Sequence, residues 1–340
     1  APQPLSRPAL PRTLATSRQR GHRSALSRNT LSASSLASDF LSVPTADRHV
    51  LADPVRRTGS MEYLERRRSL VAERLEAAVD AVEPDALREQ IDSVVLAGGK
   101  RVRPTVTVLV CEALGGEPED AVDFAVGIEL VHNASLVIDD IIDESDLRRG
   151  SESAWAAFGH GPAIIASDGL LGEAFALFSS DERAMQVVAE AMVELGEGEA
   201  SELVEEPTSE EEYMTLARRK TGALFRAAAE LGAIAADADA YTIEAVGDYA
   251  ERVGVAFQMR DDVLDATADP ETLGKPAGQD AAMERPSLVE VTDLTPEEAN
   301  ERAREESDAA LEALSTIDVA DEAALEYLED LAKFVVVRER

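Results

Sequence analysis

Residues 136–150 read LVIDDIIDESDLRRG, with four Asp and one Glu in fifteen positions, then Arg148 and Arg149 side by side. On a helix, positions i and i+4 share a face, so Asp139 and Asp143 point the same way. Like charges at that spacing destabilise a helix and raise each other's pKa unless a cation compensates. The pattern returns: DDIID at 139–143 recurs as DDVLD at 261–265, pairing Asp261 with Asp265 across one turn. In so acidic a chain one copy means little, and two copies are roughly tenfold rarer.

Outward from these clusters, apolar residues recur at three- and four-residue spacing from Met61 to the end, and strand-like alternation is rare. Breaks fall at Gly98-Gly99, Gly115-Gly116, Gly150, Gly159 to Pro162, Pro207 and Pro270. The expectation is one all-α domain over 61–340, a single large bundle of about ten helices. Residues 1–60 differ in kind, with nine Arg, ten Ser, six Pro, three Asp and neither Lys nor Glu. They read as a disordered basic extension. A transit peptide fits that composition, but a start assigned too early fits better, since Met61 is the first Met and opens an amphipathic stretch.

The net charge of −34 sets this chain against nucleic acid and anionic membranes as partners. With 4 Lys against 29 Arg, it also resembles proteins of a salt-loving cytoplasm, so most carboxylates read as solvated surface. Lys100, Lys220 and Lys275 stand beside Gly, Thr or Pro in motif-like settings, which suits anion contacts. Cys111 is the only cysteine, which excludes an intrachain disulfide. No apolar run approaches the roughly 20 residues of a membrane span, so no membrane span is expected.

Hard divalent cations resolve the repulsion within each aspartate cluster. Mg²⁺ prefers oxygen, keeps several waters and usually takes one or two carboxylates plus phosphate oxygens. Two carboxylate helices facing one another suit a Mg²⁺ cluster bridged by a diphosphate, with Arg148 and Arg149 as forked donors to the phosphates. His132, seven residues before Asp139, shares its helix face.

Four stretches carry a family resemblance: GGKRVRP (98–104), ELVHNASLVIDDIIDESDLRRG (129–150), KTGALFRAA (220–228) and FQMRDDVLDATADPETLGKPAGQD (257–280). In this order they resemble motifs of the trans-isoprenyl diphosphate synthases, the polyprenyl synthetase family. The resemblance implies the isoprenoid synthase fold, a helical bundle around a central cavity. It implies a Mg²⁺-dependent condensation of isopentenyl diphosphate with an allylic diphosphate of five to fifteen carbons. It also implies three Mg²⁺ per site, with Mn²⁺ as a substitute, and a homodimer.

By the same resemblance Asp139, Asp143 and Asp261 are direct metal ligands, and Asp140, Asp262 and Asp265 are partial or outer contributors. Lys100, Arg103, His132 and Arg149 match isopentenyl diphosphate positions. Arg148, Lys220, Thr221, Gln258 and Lys275 match allylic diphosphate positions. Ala134 and Ser135 match the floor that limits chain length, and their small size implies a C20 product, geranylgeranyl diphosphate. C25 or longer stays open, because Ile128 and Val131 deeper down are only moderately large.

Several positions leave the family pattern. Ile138 replaces a common His, Ser167-Asp168-Gly169 replaces Gly-Asp-Ala, Glu199 stands where Gln is usual, and Arg285 and Ser287 replace a Gly-Lys-x-Thr element. Glu202 is expected near the metals, His160 in a loop, and Trp155 in core or lid. Two rival readings stay open: a class I terpene cyclase, which needs no isopentenyl site, and a non-catalytic partner subunit of a sister synthase, whose signature would be degraded aspartates.

Overall fold

A computed structural model describes residues 54–204, 207–267, 286–292 and 294–337, with side chains from 62 onward. All lie in one compact unit. Its helices are α1 (Pro54–Asp80), α2 (Asp85–Val95), α3 (Val102–Ala113), α4 (Pro118–Ile142), α5 (Ala154–Phe158), α6 (His160–Phe178), α7 (Glu182–Val204) and α8 (Glu210–Ala217). A π segment (Arg218–Gly222) leads directly into α9 (Ala223–Ala235), followed by α10 (Ala240–Thr267), α11 (Leu288–Val291), α12 (Pro296–Leu314) and α13 (Glu322–Val335). With α8, the π segment and α9 taken as one interrupted helix, ten helices exceed ten residues among those described. α1 begins at Pro54, seven residues before Met61.

α9 organises the bundle because it is apolar on two faces. Leu224, Ala227, Ala228 and Leu231 join a core with Ile128, Val131 and Ala134 of α4 and with Val188 and Leu195 of α7. Phe225, Ala229 and Ala233 face the other way, into a core with Val246, Tyr249 and Val253 of α10. The two aspartate-bearing helices therefore flank α9. A third core joins Tyr213, Met259, Val263 and Leu288 around the lower half of α10.

α4 starts sharply. Pro118 occupies its first turn, where a missing N–H is harmless, and Glu117 and Asp120 form a reciprocal capping box. The helix stops at Ile142, so the arginines do not lie on it. They sit on a small antiparallel hairpin, β1 (Leu147–Arg148) and β2 (Ser151–Glu152). Its two-residue turn is Arg149-Gly150, with φ of 53° and 80°, the doubly positive pattern of the tight hairpin turn whose twist matches the strands.

Two helices, α4 and α6, are long and apolar enough to cross a membrane, where the sequence reading expected none. For α4 the cause is its position in the protein core, with 67% of the apolar window buried. α6 is only 33% buried over its window and leaves Ile164 and Ile165 exposed. His160, expected in a loop, is the first residue of α6.

Candidate functional site

The first aspartate cluster divides by burial. Asp139 and Asp143 are half-buried, whereas Asp140 is buried on the other side of α4. Asp140 accepts from Arg148 Nε at 2.8 Å and also from the Arg148 Nη2 group. Asp139 is pushed up to about 7 by burial and by Glu199, with Lys220 and Arg148 pulling the other way and Asp143 adding to the rise. Burial and a second carboxylate thus leave Asp139 short of positive charge, the condition that a cation relieves.

Lys220 comes from the π segment. Its ammonium pairs with Glu202 and lies 3.4 Å from Glu199. Burial works against its charge, but Glu202, Glu199 and Asp139 outweigh that and raise its pKa. Gly198 makes the approach possible, since a Cβ there would meet Arg219 Cβ and Lys220 N at 3.0 Å. The π turn re-aims side chains relative to a regular helix, a device common at functional sites. Glu202 thus lies beside Lys220, and Glu199, the departure from the family pattern, faces both Lys220 and Asp139.

On the second helix, Asp261 is half-buried and Asp262 and Asp265 are buried. Asp262 accepts from Tyr213 Oη at 2.6 Å, Gln258 Nε2 at 2.9 Å and Leu288 N at 2.9 Å. Gln258 in turn accepts from Thr221 Oγ1 at 2.9 Å, so both ends of its amide are committed. The chain Thr221, Gln258, Asp262, Tyr213 thereby ties the π segment to α10. Ser287 caps α11 by accepting from Glu290 N at 3.3 Å, which fixes the neighbouring Leu288 N.

The positively charged half surrounds His132, whose pKa is held well below the usual range by burial and by Arg103, Arg149, Arg101 and Arg148. A neutral imidazole among four guanidinium groups marks a strongly positive pocket. Arg103 stacks over the Phe225 ring at 4.6 Å, and burial lowers it to about 10. Arg149 donates to Gly98 O, and Lys100 is exposed. Arg101 pairs with Glu129, which is buried and also accepts from Asn133 Nδ2 at 3.1 Å.

Arg101, Glu129 and Tyr213 were not singled out from sequence. Arg101 lies inside GGKRVRP and Glu129 opens the first motif, so both were in view, whereas nothing marks Tyr213. Lys275 and Arg285 lie outside the described residues. Ala134 is buried and its carbonyl accepts from Ser167 Oγ at 3.1 Å, while Ser135 is half-buried one turn from Asp139. Trp155 donates from Nε1 to Ser145 O at 3.0 Å and packs 5.1 Å from the His160 ring, bracing the loop that carries the hairpin.

Among the described residues, no group of three Asp, Glu, His or Cys side chains closes around a single point. Mg²⁺ needs no such cage, since one or two carboxylates with waters and phosphate oxygens satisfy it. The half-buried Asp139 and Asp143 on one helix and Asp261 on the other fit that sparse set.

Residues 84–327 match the polyprenyl synthetase family. A short chain isoprenyl diphosphate synthase of Methanothermobacter thermautotrophicus is 37% identical over 72% of this chain and 78% of its own. A geranylgeranyl pyrophosphate synthetase structure from Pyrococcus horikoshii superposes with a TM-score of 0.75 at 34% identity, covering 83% of this chain and 99% of its own. A polyprenyl synthase from Caulobacter crescentus, complexed with calcium and isoprenyl diphosphate, gives 0.74 at 28% identity, covering 83% and 97%. On this identity and coverage, with the motifs in place on α4, the π segment and α10, the chain belongs to the polyprenyl synthetase family.

Proposed function

We propose that this protein is a Mg²⁺-dependent trans-prenyltransferase that condenses isopentenyl diphosphate with allylic diphosphates and releases mainly the C20 product. The observation that carries this reading is an adjacency on one face of α4. Asp139, whose carboxyl pKa burial and Glu199 push up, stands with Asp143 on one face about 10 Å, or two turns, from a positive pocket around His132. One helix thus serves a metal-bound diphosphate and a second, metal-free diphosphate together.

In this reading Arg101, Arg103, Arg149, Lys100 and neutral His132 hold isopentenyl diphosphate. Arg148 and Lys220 reach the allylic diphosphate, and Thr221 with Gln258 fixes the π segment so that Lys220 keeps its aim. Bound Mg²⁺ would act as Lewis acid and template for loss of the allylic diphosphate, held by Asp139, Asp143 and Asp261. Asp140, Asp262 and Asp265 support these ligands from behind, since Asp140 and Asp262 are occupied with protein donors. Guanidinium groups already in place require little reorganisation as charge develops on the leaving group.

The C20 limit follows from α4. Below Ser135 its inward residues, Val131 and Ile128, are fully buried. They lie 8 and 11 residues before Asp139, about 12 to 16 Å along the axis. An isoprene unit adds four chain carbons, about 5 Å extended at a C–C length of about 1.5 Å. A C15 primer therefore fits and a C20 chain does not re-enter as primer.

The same reading takes the active form as a homodimer. Its support is α6, which exposes Ile164 at 45% and Ile165 at 58% together with Phe175, an apolar face suited to a subunit contact. Localisation in the cytoplasm is the matching proposal. The test is incubation of the protein in high KCl with Mg²⁺, isopentenyl diphosphate and each of the C5, C10 and C15 allylic diphosphates, with product length read by chromatography. Condensation that Asp139→Ala or Asp261→Ala abolishes supports the reading. Absence of condensation with every primer sinks it.

A further inference from the structure

Behind Asp140, between α4, α2 and the arginine hairpin, lies a small cavity of about 20 Å³. Asn133, Asp140, Arg148, Arg149 and Ser153 line it. Asn133 is 1% exposed and Ser153 2%. Among the described residues, neither Asn133 Oδ1 nor Ser153 Oγ has a hydrogen-bond partner. Leaving a buried acceptor or hydroxyl unmatched is unfavourable, and two in one cavity point to a shared ligand.

The orientation of Asn133 is not arbitrary. Its Nδ2 group donates to Glu129 O at 2.7 Å and to Glu129 Oε1 at 3.1 Å, both acceptors only. Flipping the amide would set Oδ1 against two acceptors, so Oδ1 is the atom turned away from Glu129. Ser153 is held independently, by its backbone N–H donating to Asp146 O at 2.9 Å. The cavity volume exceeds the roughly 10 to 15 Å³ that one water requires and is too small for a larger ligand.

We propose that this cavity holds one ordered water that donates to Asn133 Oδ1 and bonds to the Ser153 hydroxyl. Asn133 and Ser153 are then positioning residues. The water completes a polar chain from Arg101 and Glu129, through Asn133, to Ser153 at the base of the hairpin. It fixes the hairpin's angle against α4 and thus the reach of Arg148 and Arg149. The proposal rests on reading Arg148 and Arg149 as diphosphate ligands.

The experiment pairs a crystal structure of the full chain, at a resolution that orders water, with calorimetric titration of inorganic pyrophosphate in the presence of Mg²⁺. The expected structure shows one sphere of density within hydrogen-bond distance of Asn133 Oδ1 and Ser153 Oγ. Ser153→Ala and Asn133→Leu each weaken pyrophosphate about fivefold, the value of one modest hydrogen bond. Ser153→Thr, which keeps the hydroxyl, restores the wild-type affinity. A purely structural role would lower the melting temperature and leave pyrophosphate affinity unchanged. A dry cavity, or unchanged affinity in both Ser153→Ala and Asn133→Leu, overturns the proposal. Arg148→Ala separates the two readings: if it leaves pyrophosphate binding intact, the ligand role of the hairpin fails, whatever the density shows.

Discussion

Replacing Ile128 and Val131 together by Ala moves the main product from C20 to C25. Both side chains are fully buried on the face of α4 that continues from Asp139 through Ser135. Truncating them opens roughly one helical turn, about 5.4 Å, which matches the roughly 5 Å of one isoprene unit at a C–C length of about 1.5 Å. Elongation then stops again at Phe124, one turn deeper, whose ring packs 6.2 Å from Phe178. C30 therefore stays minor. Ile→Ala in a core costs about 2 to 5 kcal/mol, so the melting temperature falls as well. Leu75→Ala, a truncation in the same core but on α1, controls for loosening: it lowers stability and leaves C20 unchanged. Products are read by chromatography after dephosphorylation, with the C15 primer and excess isopentenyl diphosphate. If the double variant turns over normally and still stops at C20, the tail does not run along this face and the length argument is wrong.

Other outcomes follow from the same geometry. Mg²⁺ affinity of the free protein rises with pH up to about 7, where Asp139 ionises, and flattens above it; calorimetry from pH 5.5 to 8.5 is expected to lose that dependence in Asp139→Asn. The stability sign runs the same way. The folded-state value for Asp139 lies above its ordinary 3.8, so the folded protein binds the extra proton and metal-free stability falls as pH rises between the two values. A pH series of thermal melts in EDTA checks this, and a flat wild-type series refutes it. Tyr213→Phe leaves buried Asp262 short of one donor and is expected to lower the melting temperature by several degrees, on the order of 1 to 3 kcal/mol, with a smaller loss of turnover. Ile165→Glu on α6 is expected to shift the protein to monomer in size-exclusion chromatography. A variant that elutes with wild type would remove α6 from the subunit contact.

What the sequence discloses of this protein depends on whether the signal is periodic or local. α4 and α10 were legible because their apolar spacing and paired aspartates both follow the helical repeat. The candidate residues on them, His132, Asp139, Gln258 and Asp261, are placed on their helices by that same repeat. The helix end at Ile142 was harder, since Asp143 to Asp146 contains neither Gly nor Pro, and only Gly150 marked the hairpin turn. The π segment gave no sign at all, because RRKTG continues a helical pattern and the extra residue in its turn is set by packing against Gly198 and Gly254. Glu199 and Glu202 were in view from sequence, but their pairing with Lys220 was not, because the contact depends on how the π segment packs against α7. The apolar length of α6 was missed because Asp168 and Glu173 interrupt the run, and only the fold reveals that its outward face has no cover among the described residues.

The π turn makes the helix from Glu210 to Ala235 a phase shifter. Everything after Gly222 is rotated by roughly 100°, one residue's worth, relative to an unbroken helix. The two apolar faces of α9 meet their two cores only because of that offset. A single-residue deletion within 218–222 would restore a regular helix and swing either the Lys220 side chain or both faces of α9 out of register. The segment that presents Lys220 to Glu199 and Glu202 is thus also the gear that meshes the two halves of the bundle, and neither task can drift without the other.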